Sequence, residues 1–327
     1  MKTTLLEKLV CPKCKVTLLC TVGRETDGDI LEADLKCSGC DRHYPVTNGI
    51  PRFVETDDYA TSFGYQWNKF RKEQIDSFNG TTLSADRFWS ETKWTPEMMK
   101  NKWILDAGCG AGRFLDIASL SEAEIVGIDI SSAIDAARSN LEGRSNVHFV
   151  QASIYELPFR EGAFDLCYSI GVIQHTPDTS ESLRSVGRMV KAGGQFATTI
   201  YPRKPWTKLY SKYWFRPFTT RMKKEMLLDL IEKIMPVAFS ITNFLFRLPG
   251  VIGRGFMFII PVANYVNEKQ LTERDRYQWA ILDTFDMLSP YYDQPMTEAE
   301  ASSALDEVGV KVKRTGQSGL NLIGKRV

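Results

Sequence analysis

Two CxxC pairs stand near the start of the chain, Cys11 with Cys14 and Cys37 with Cys40, and 22 residues lie between the pairs. Each pair sits at a tight turn that aims two thiolates at one point. Two such turns form the tetrahedral sulfur set that Zn2+ prefers. His43 could replace one ligand, but a closed structural site has no place for a fifth. The competing readings are two unrelated turns with free thiols and a redox CxxC, and two matched pairs argue against the latter. A module of about 55 residues buries little surface alone, so the metal supplies much of its folding energy. No open coordination position for catalysis is evident.

A second set of residues begins at 105–114, which read LDAGCGAGRF. Gly108, Gly110 and Gly112 make a GxGxG turn after a short apolar run. The dinucleotide fingerprint needs a glycine where Arg113 stands. Asp106 precedes the turn. Its carboxylate would repel a pyrophosphate and attract a cofactor bearing an ammonium and a sulfonium. Asp129 ends the next apolar run. There it can accept both hydroxyls of a ribose, or cap the helix that follows. His175, in GVIQHTPD, carries an imidazole that titrates near neutrality and suits a general base, or it orders its loop. Cys109 and Cys167 read as packed thiols.

These residues need a scaffold. Residues 1–55 carry short strand-like runs separated by turns at DGD and NG. Residues 56–100 are aromatic and polar and read as mostly helical. From 103, apolar runs (WILDAG, EIVGIDI, VHFVQAS, FDLCYSI, GQFATTIY) alternate with helical stretches, which indicates βαβ units and a parallel sheet. The alternation stops near Pro202. A helix in TEAEASSALDEVGV and strands in VKVKRT and LNLIGKRV resume it, so 203–290 reads as a helical insertion. The expected architecture is α/β: a Rossmann-like sheet with helices on both faces (101–202 and 291–327), a helical cap (203–290), a helical cofactor cover (56–100) and a zinc module (1–55).

The chain has 327 residues, and 41 Lys and Arg nearly cancel 40 Asp and Glu, so overall charge names no nucleic-acid or membrane partner. Glu7 and Lys8 interrupt the apolar start, so no secretory signal is expected. No run of about 18 uncharged apolar residues suggests a span. Reduced cysteines and these absences imply a cytoplasmic protein. Charge is polarised locally. Residues 201–224 hold eight Arg or Lys, no acid and seven aromatics. Four readings stay open there: RNA, an anionic membrane surface, a phosphate-bearing acceptor, or a solvated face with aromatics packed beneath. Met226, Leu227, Leu230, Ile231, Ile234 and Met235 recur at helical spacing, and the apolar stretch after them reads as a cap or a membrane-contacting surface. LDTFDMLSPYYD, with Asp283 and Asp286, fits a pocket wall, a cap or surface.

The order DAGCGAGRF, VGIDIS, FVQASIYELPF, FDLCYSIGVIQHTPD and KAGG resembles the class I S-adenosylmethionine methyltransferases, especially the group that includes the quinone-biosynthesis enzymes. LLEKLVCPKC…LKCSGCDRHYPVTNGIPRFV resembles the zinc-ribbon family typified by the activator subunit of tRNA and translation-factor methyltransferases. The resemblance implies S-adenosylmethionine as cofactor and structural Zn2+ on Cys11, Cys14, Cys37 and Cys40. Asp106, Gly108 and Gly110 would face the methionine part, with Gly112 in the same turn, and Asp129 the ribose. Ser153 stands where the family often has Asp at the adenine amino group, and it accepts without charge. Ile154 would add apolar contact, Leu157, Pro158 and Phe159 would close a loop beside the adenine, and Ser169 and Ile170 would lie near the sulfonium. In related enzymes a helix at FGYQW (Tyr65, Gln66, Trp67) folds over the cofactor. The leading expectation is methyl transfer to a small, lipid-linked or nucleotide-linked metabolite, a sugar among them, with peripheral membrane contact through 201–262. The alternatives are methylation of RNA or a translation factor, and a noncatalytic scaffold for a partner methyltransferase.

Overall fold

The computed structural model describes residues 1–54, 61–316 and 319–327, so the expected boundary at 55/56 lies outside the described residues. The chain opens with α1 (Thr3–Leu6). The ribbon β1 (Leu18–Thr26), β2 (Asp29–Cys37), β3 (His43–Thr47) and β4 (Ile50–Pro51) follows, antiparallel throughout. Turns at Asp27-Gly28 and Asn48-Gly49 join its strands with positive φ, as their residue types favour. Four helices come next: α2 (Thr61–Lys69), α3 (Asp76–Asn79), α4 (Leu83–Thr92) and α5 (Pro96–Met99).

The sheet domain alternates as its pattern implies. It runs β5 (Trp103–Ala107), α6 (Arg113–Ala118), β6 (Glu124–Asp129), α7 (Ala133–Asn140), β7 (Val147–Gln151), β8 (Phe164–Ile170), α8 (Thr179–Met189) and β9 (Val190–Ile200). The cap is α9 (Lys212–Thr219), α10 (Lys224–Leu245), α11 (Gly250–Ile259) and α12 (Glu273–Leu288). The chain then returns through α13 (Glu298–Asp306), β10 (Val310–Thr315) and β11 (Leu320–Arg326). Strand order is β10-β11-β9-β8-β5-β6-β7, with β5 to β9 parallel and β10 and β11 antiparallel. Successive strand residues serve opposite faces. Ile104, Leu166 and Tyr168 pack with α4, α6 and α7, whereas Leu105, Cys167 and Phe196 pack with α8 and α13. Capping boxes, Thr272 with Asp275 and Thr297 with Glu300, start α12 and α13.

The cysteine module is built into the sheet domain. Leu5, Leu9, Leu35 and Val46 share one apolar core with Val126, Val150, Phe159 and Phe164. The backbone joins too: Phe53 N–H donates to Gln151 O at 2.8 Å and Val10 N–H to Pro158 O at 2.9 Å. Arg52 clamps Asp135 of α7 at 2.6 and 3.1 Å.

The basic stretch departs from the reading of a solvated face over buried aromatics. Trp206, Trp214, Phe215 and Phe218 are exposed, and three of the cations turn inward. The last carbonyls of a helix lack intrahelical partners. Arg216 donates to Met287 O and Pro290 O (3.1 and 2.8 Å), Thr219 Oγ1 to Leu288 O (2.8 Å) and Lys224 Nζ to Ser289 O (2.7 Å), closing the end of α12. Lys212 pairs with the buried Asp293. Cations at a helix C-terminus also complement its dipole.

Candidate active site

A cavity of about 790 Å3 opens above the carboxyl ends of β5, β6 and β8, with the cap as its far wall. β5 lies between β6 and β8, where the chain order of the strands reverses. Open parallel sheets bind ligands at that point.

The glycine turn forms one end. Gly108 has φ +89°, and a Cβ there would sit 2.3 Å from Val172 Cγ1, so only glycine fits. Gly110 N–H donates to Asp129 Oδ2 at 3.0 Å, while Ser131 N–H and Oγ hold Oδ1 at 2.9 and 2.7 Å. The carboxylate is thereby fixed at the cavity wall, beside Ile130 and Ile154. α2 covers this end: Phe63 and Trp67 line it, and the Trp67 indole lies against Gly110. Gln66 is fully buried and Tyr65 packs on Phe285 of the cap. Beneath the turn, Asp106 is 2% exposed and its Oδ2 has no hydrogen-bond partner among the described residues. Burial pushes its pKa up to about 8, a neighbouring Tyr168 hydroxyl opposes that, and the Asp129 charge adds to it. An orphaned carboxylate oxygen, a cradle that a Cβ would fill and a fixed acid fit a cofactor that carries an ammonium and a ribose.

Of the residues singled out in the sequence, Trp67, Gly108, Gly110, Asp129, Ile154, Ile170, His175, Asp283 and Asp286 line the cavity. Asp106 lies buried beneath the turn without lining the cavity, whereas Gly112, Ser153, Ser169, Leu157 and Phe159 have visible structural tasks. A Cβ on Gly112 would press on Leu141 and Ala137, so this glycine seats α7. Ser153 Oγ accepts from Tyr155 N–H at 3.2 Å and caps a short turn beside the cavity-lining Ile154. Ser169 is fully buried and donates to Ala107 O at 2.7 Å, stitching β8 to β5 below the cavity. Leu157 and Phe159 point into the core shared with the cysteine module.

His175 is also recast. Its Nδ1–H donates to Tyr292 O at 3.0 Å, which leaves Nε2 with the lone pair. Nε2 has no partner among the described residues. Burial lowers the pKa to about 4, although the Asp293 charge opposes this, so the ring is neutral at physiological pH and accepts hydrogen bonds better than protons. Asp286 of α12, also on the wall, is better matched to proton transfer. Burial and the nearby Asp283 charge raise it to about 7.

The rest of the far wall was not legible in the sequence. Arg113 donates to Ser84 Oγ and Gln74 Oε1 at 2.9 and 2.7 Å. Gln74 donates to Asp283 Oδ1 at 3.0 Å, and Tyr265 donates to the other oxygen of Asp283. Arg87 is held through Nε by Glu91 at 3.0 Å. Both guanidiniums lie near the Phe114 ring, 5.5 and 5.3 Å from its centre. Burial and the neighbouring Arg87 charge push Arg113 down to about 10. The signal for Arg87 and Arg113 was weak, because each stands in an ordinary helical context. Asp283 and Asp286 stood in a ring-rich stretch that raised the pocket reading without deciding it.

The four cysteine sulfurs lie within 4.8 Å of one another, with Cys11 and Cys40 at 3.7 Å and Cys14 and Cys37 at 3.3 Å. A tetrahedral site with Zn–S near 2.3 Å separates its sulfurs by about 3.8 Å, so the set fits Zn2+. Gly39 N–H donates to Cys37 Sγ at 3.3 Å and the Tyr44 hydroxyl lies 3.3 Å from Cys11 Sγ, the kind of outer support that orients metal ligands. His43 is engaged elsewhere, with Asp34 at 2.6 Å.

Comparison with known proteins agrees with this division. Residues 105–198 match the family described as "Methyltransferase domain", and residues 2–49 match the family described as "Trm112p-like protein". O-methyltransferase rstn1 of Aspergillus nomiae is 32% identical over 41% of this chain and 59% of its own length. A ubiquinone biosynthesis O-methyltransferase of Alkalilimnicola ehrlichii is 31% identical over 35% of this chain and 47% of its own. The chain thus spans about half the length of these two relatives. A solved complex containing the Haloferax volcanii Trm112 methyltransferase activator is 13% identical, with 81% of this chain and 97% of that one covered, at a TM-score of 0.44.

Proposed function

We infer that this chain, which carries a methyltransferase domain behind a Trm112-like module, transfers a methyl group from S-adenosylmethionine to a small, lipid-linked or nucleotide-linked acceptor. One observation carries the reading: a single cavity joins the glycine cradle and Asp129 at one end to the Arg87, Arg113 and Asp286 wall at the other. When bound, the cofactor supplies an electrophilic methyl group on sulfur, which leaves in an in-line displacement. The chain's residues bind, orient and exclude water. Asp106 and the Gly108–Gly110 backbone would receive the methionine part, Asp129 the ribose, and Ile130 and Ile154 the base. Trp67 closes that end. At the acceptor end Asp286 takes the proton if the acceptor must lose one, and the Nε2 of His175 accepts a hydrogen bond. Cys11, Cys14, Cys37 and Cys40 hold Zn2+ as a structural ion. The reading sets the protein in the cytoplasm, where thiols stay reduced.

Methylation of RNA or of a translation factor has less support, because Lys212, Arg216 and Lys224 serve the fold and the cations of 201–224 that stay exposed stand among exposed apolar side chains. A noncatalytic scaffold is disfavoured by the built acceptor wall. The deciding experiment is calorimetric binding of S-adenosylhomocysteine to the purified chain, followed by transfer of labelled methyl from S-adenosylmethionine into an extract. The reading expects saturable binding, with label in the lipid or soluble fraction that survives nuclease and protease. Label removed by either enzyme points to a macromolecular acceptor, and absence of cofactor binding points to the scaffold.

A further inference from the structure

Among the described residues, 16 of the 24 exposed large apolar side chains fall between Trp206 and Ile259. The long helix α10 accounts for the pattern by carrying two apolar stripes. Leu227, Leu228, Ile231, Met235 and Phe239 pack on α12. Met226, Leu230, Ile234, Val237, Ile241 and Phe244 recur every three or four residues, within an arc of about 80°, and all six face outward. Phe244 is 70% exposed. No charged residue occurs from 234 to 246. α11 extends the surface: Gly253 is its one buried residue, and Val251 is 79% exposed. On α9, Phe218 is 73% exposed. An apolar surface this extensive marks an interaction face.

The rim identifies the partner. Lys208, Arg221, Lys223, Arg247 and Arg254 are exposed around the patch, and 203–224 contains no acid. A second copy of the chain would set like-charged rims against each other. An anionic bilayer satisfies both features, acyl chains meeting the apolar stripe and head groups the cations. α10 carries five charged residues in its first ten, and no helix among the described residues is long and apolar enough to cross a membrane, so it lies in the interface plane.

The same surface adjoins the cavity. Lys204, Thr207 and Tyr210 line the cavity, while their neighbours Trp206 and Leu209 are exposed. The Tyr210 ring lies 4.2 Å from Phe258 of α11, and Ser211 N–H donates to Phe258 O at 3.1 Å, so lip and patch are one unit. We propose that the outer faces of α9, α10 and α11 dock on an anionic bilayer, and that the acceptor is lipid-linked, its polar head entering past residues 204–210 while its tail stays in the membrane. The docking stands independently of the methyltransferase reading; the acceptor class rests on it.

The test is flotation of the full chain with phosphatidylcholine vesicles, with and without phosphatidylglycerol. Co-flotation is expected with phosphatidylglycerol and should fall with added salt. Lys223→Gln and Arg247→Gln should each weaken it about fivefold. The double variant Val237→Ser, Phe244→Ser should weaken it about tenfold or more. All four positions are exposed and outside the cavity, so S-adenosylhomocysteine binding should be unchanged, which certifies the fold. No flotation, or flotation that ignores these substitutions, overturns the docking. A dimer that Val237→Ser dissociates, without flotation, assigns the face to a second copy and overturns it equally. Flotation with methyl label only in water-soluble compounds overturns the lipid-linked acceptor. Failure of cofactor binding alone overturns the methyltransferase reading and leaves the docking in place.

Discussion

On the proposed reading, Asp106 is the residue whose protonation changes when the cofactor binds. With its carboxyl raised to about 8, it is mostly protonated near pH 7 in the ligand-free protein. A bound ammonium favours the carboxylate, so cofactor binding should release up to one proton near pH 7 and none well above pH 8. Calorimetry in buffers of different ionisation enthalpy measures this, and Asp106→Asn should remove that component. Gly108→Ala sets a methyl into Val172 at a positive φ and should reduce cofactor affinity at least about 100-fold and also lower the thermal midpoint. The same calorimetry, beside a melting curve, checks both parts. Both residues could be singled out in advance because LDAGCGAGRF is a contiguous string. Ser153, Ser169 and Gly112 sit in or near equally recognisable strings, but where a short side chain hydrogen-bonds depends on its partner strand or turn, which no string records.

The cysteine module and the sheet stand as one cooperative element. Leu9, 1% exposed, lies in the core that both share. Leu9→Ala should cost about 2–5 kcal/mol and lower the melting temperature of the whole chain in a single transition. Chelation of Zn2+, or Cys37→Ser, should do the same, by several kcal/mol, and should not release a separately melting fragment. Differential scanning calorimetry distinguishes the two outcomes: a low-temperature peak from the module alone would contradict the shared core. Docking of the module against β7 and α7 was not readable in the sequence. Its anchors, Arg52 with Asp135 and Val10 with Pro158, are 83 and 148 residues apart. The helices and strands themselves were readable from period and turn residues, which act within a few positions.

Taken as a molecule, the protein builds the far wall of its cavity from three separate stretches of chain, with Arg87 on α4, Arg113 on α6 and Asp286 on the cap helix α12. Asp286 on that wall is raised to about 7. A base must be deprotonated to act, so if the acceptor loses a proton, kcat/KM should rise with pH through about 7 and reach a plateau above it. Asp286→Asn should lower kcat by about 100-fold or more while leaving cofactor affinity within twofold, about 0.4 kcal/mol. His175→Gln should leave the pH limb in place, because the neutral ring does not titrate in that range. A pH–rate profile of the three proteins separates the roles.

Patterns that act over short spans were sufficient for much of this protein. Two CxxC turns, a glycine turn between two acids and alternating apolar runs specify a cluster of four sulfurs, a turn that only glycine fits and a parallel sheet, because each depends on geometry within a few residues. Three features arose only when distant segments met. Arg87, Arg113 and Asp286 form one wall because α4, α6 and α12 converge on it. Three cations of 201–224 turn inward because α12 ends beside them with unpaired carbonyls. α10 is apolar on two sides, and composition cannot say which side is covered. Packing against α12 covers one and leaves the other exposed, since burial is a property of the neighbour as much as of the residue.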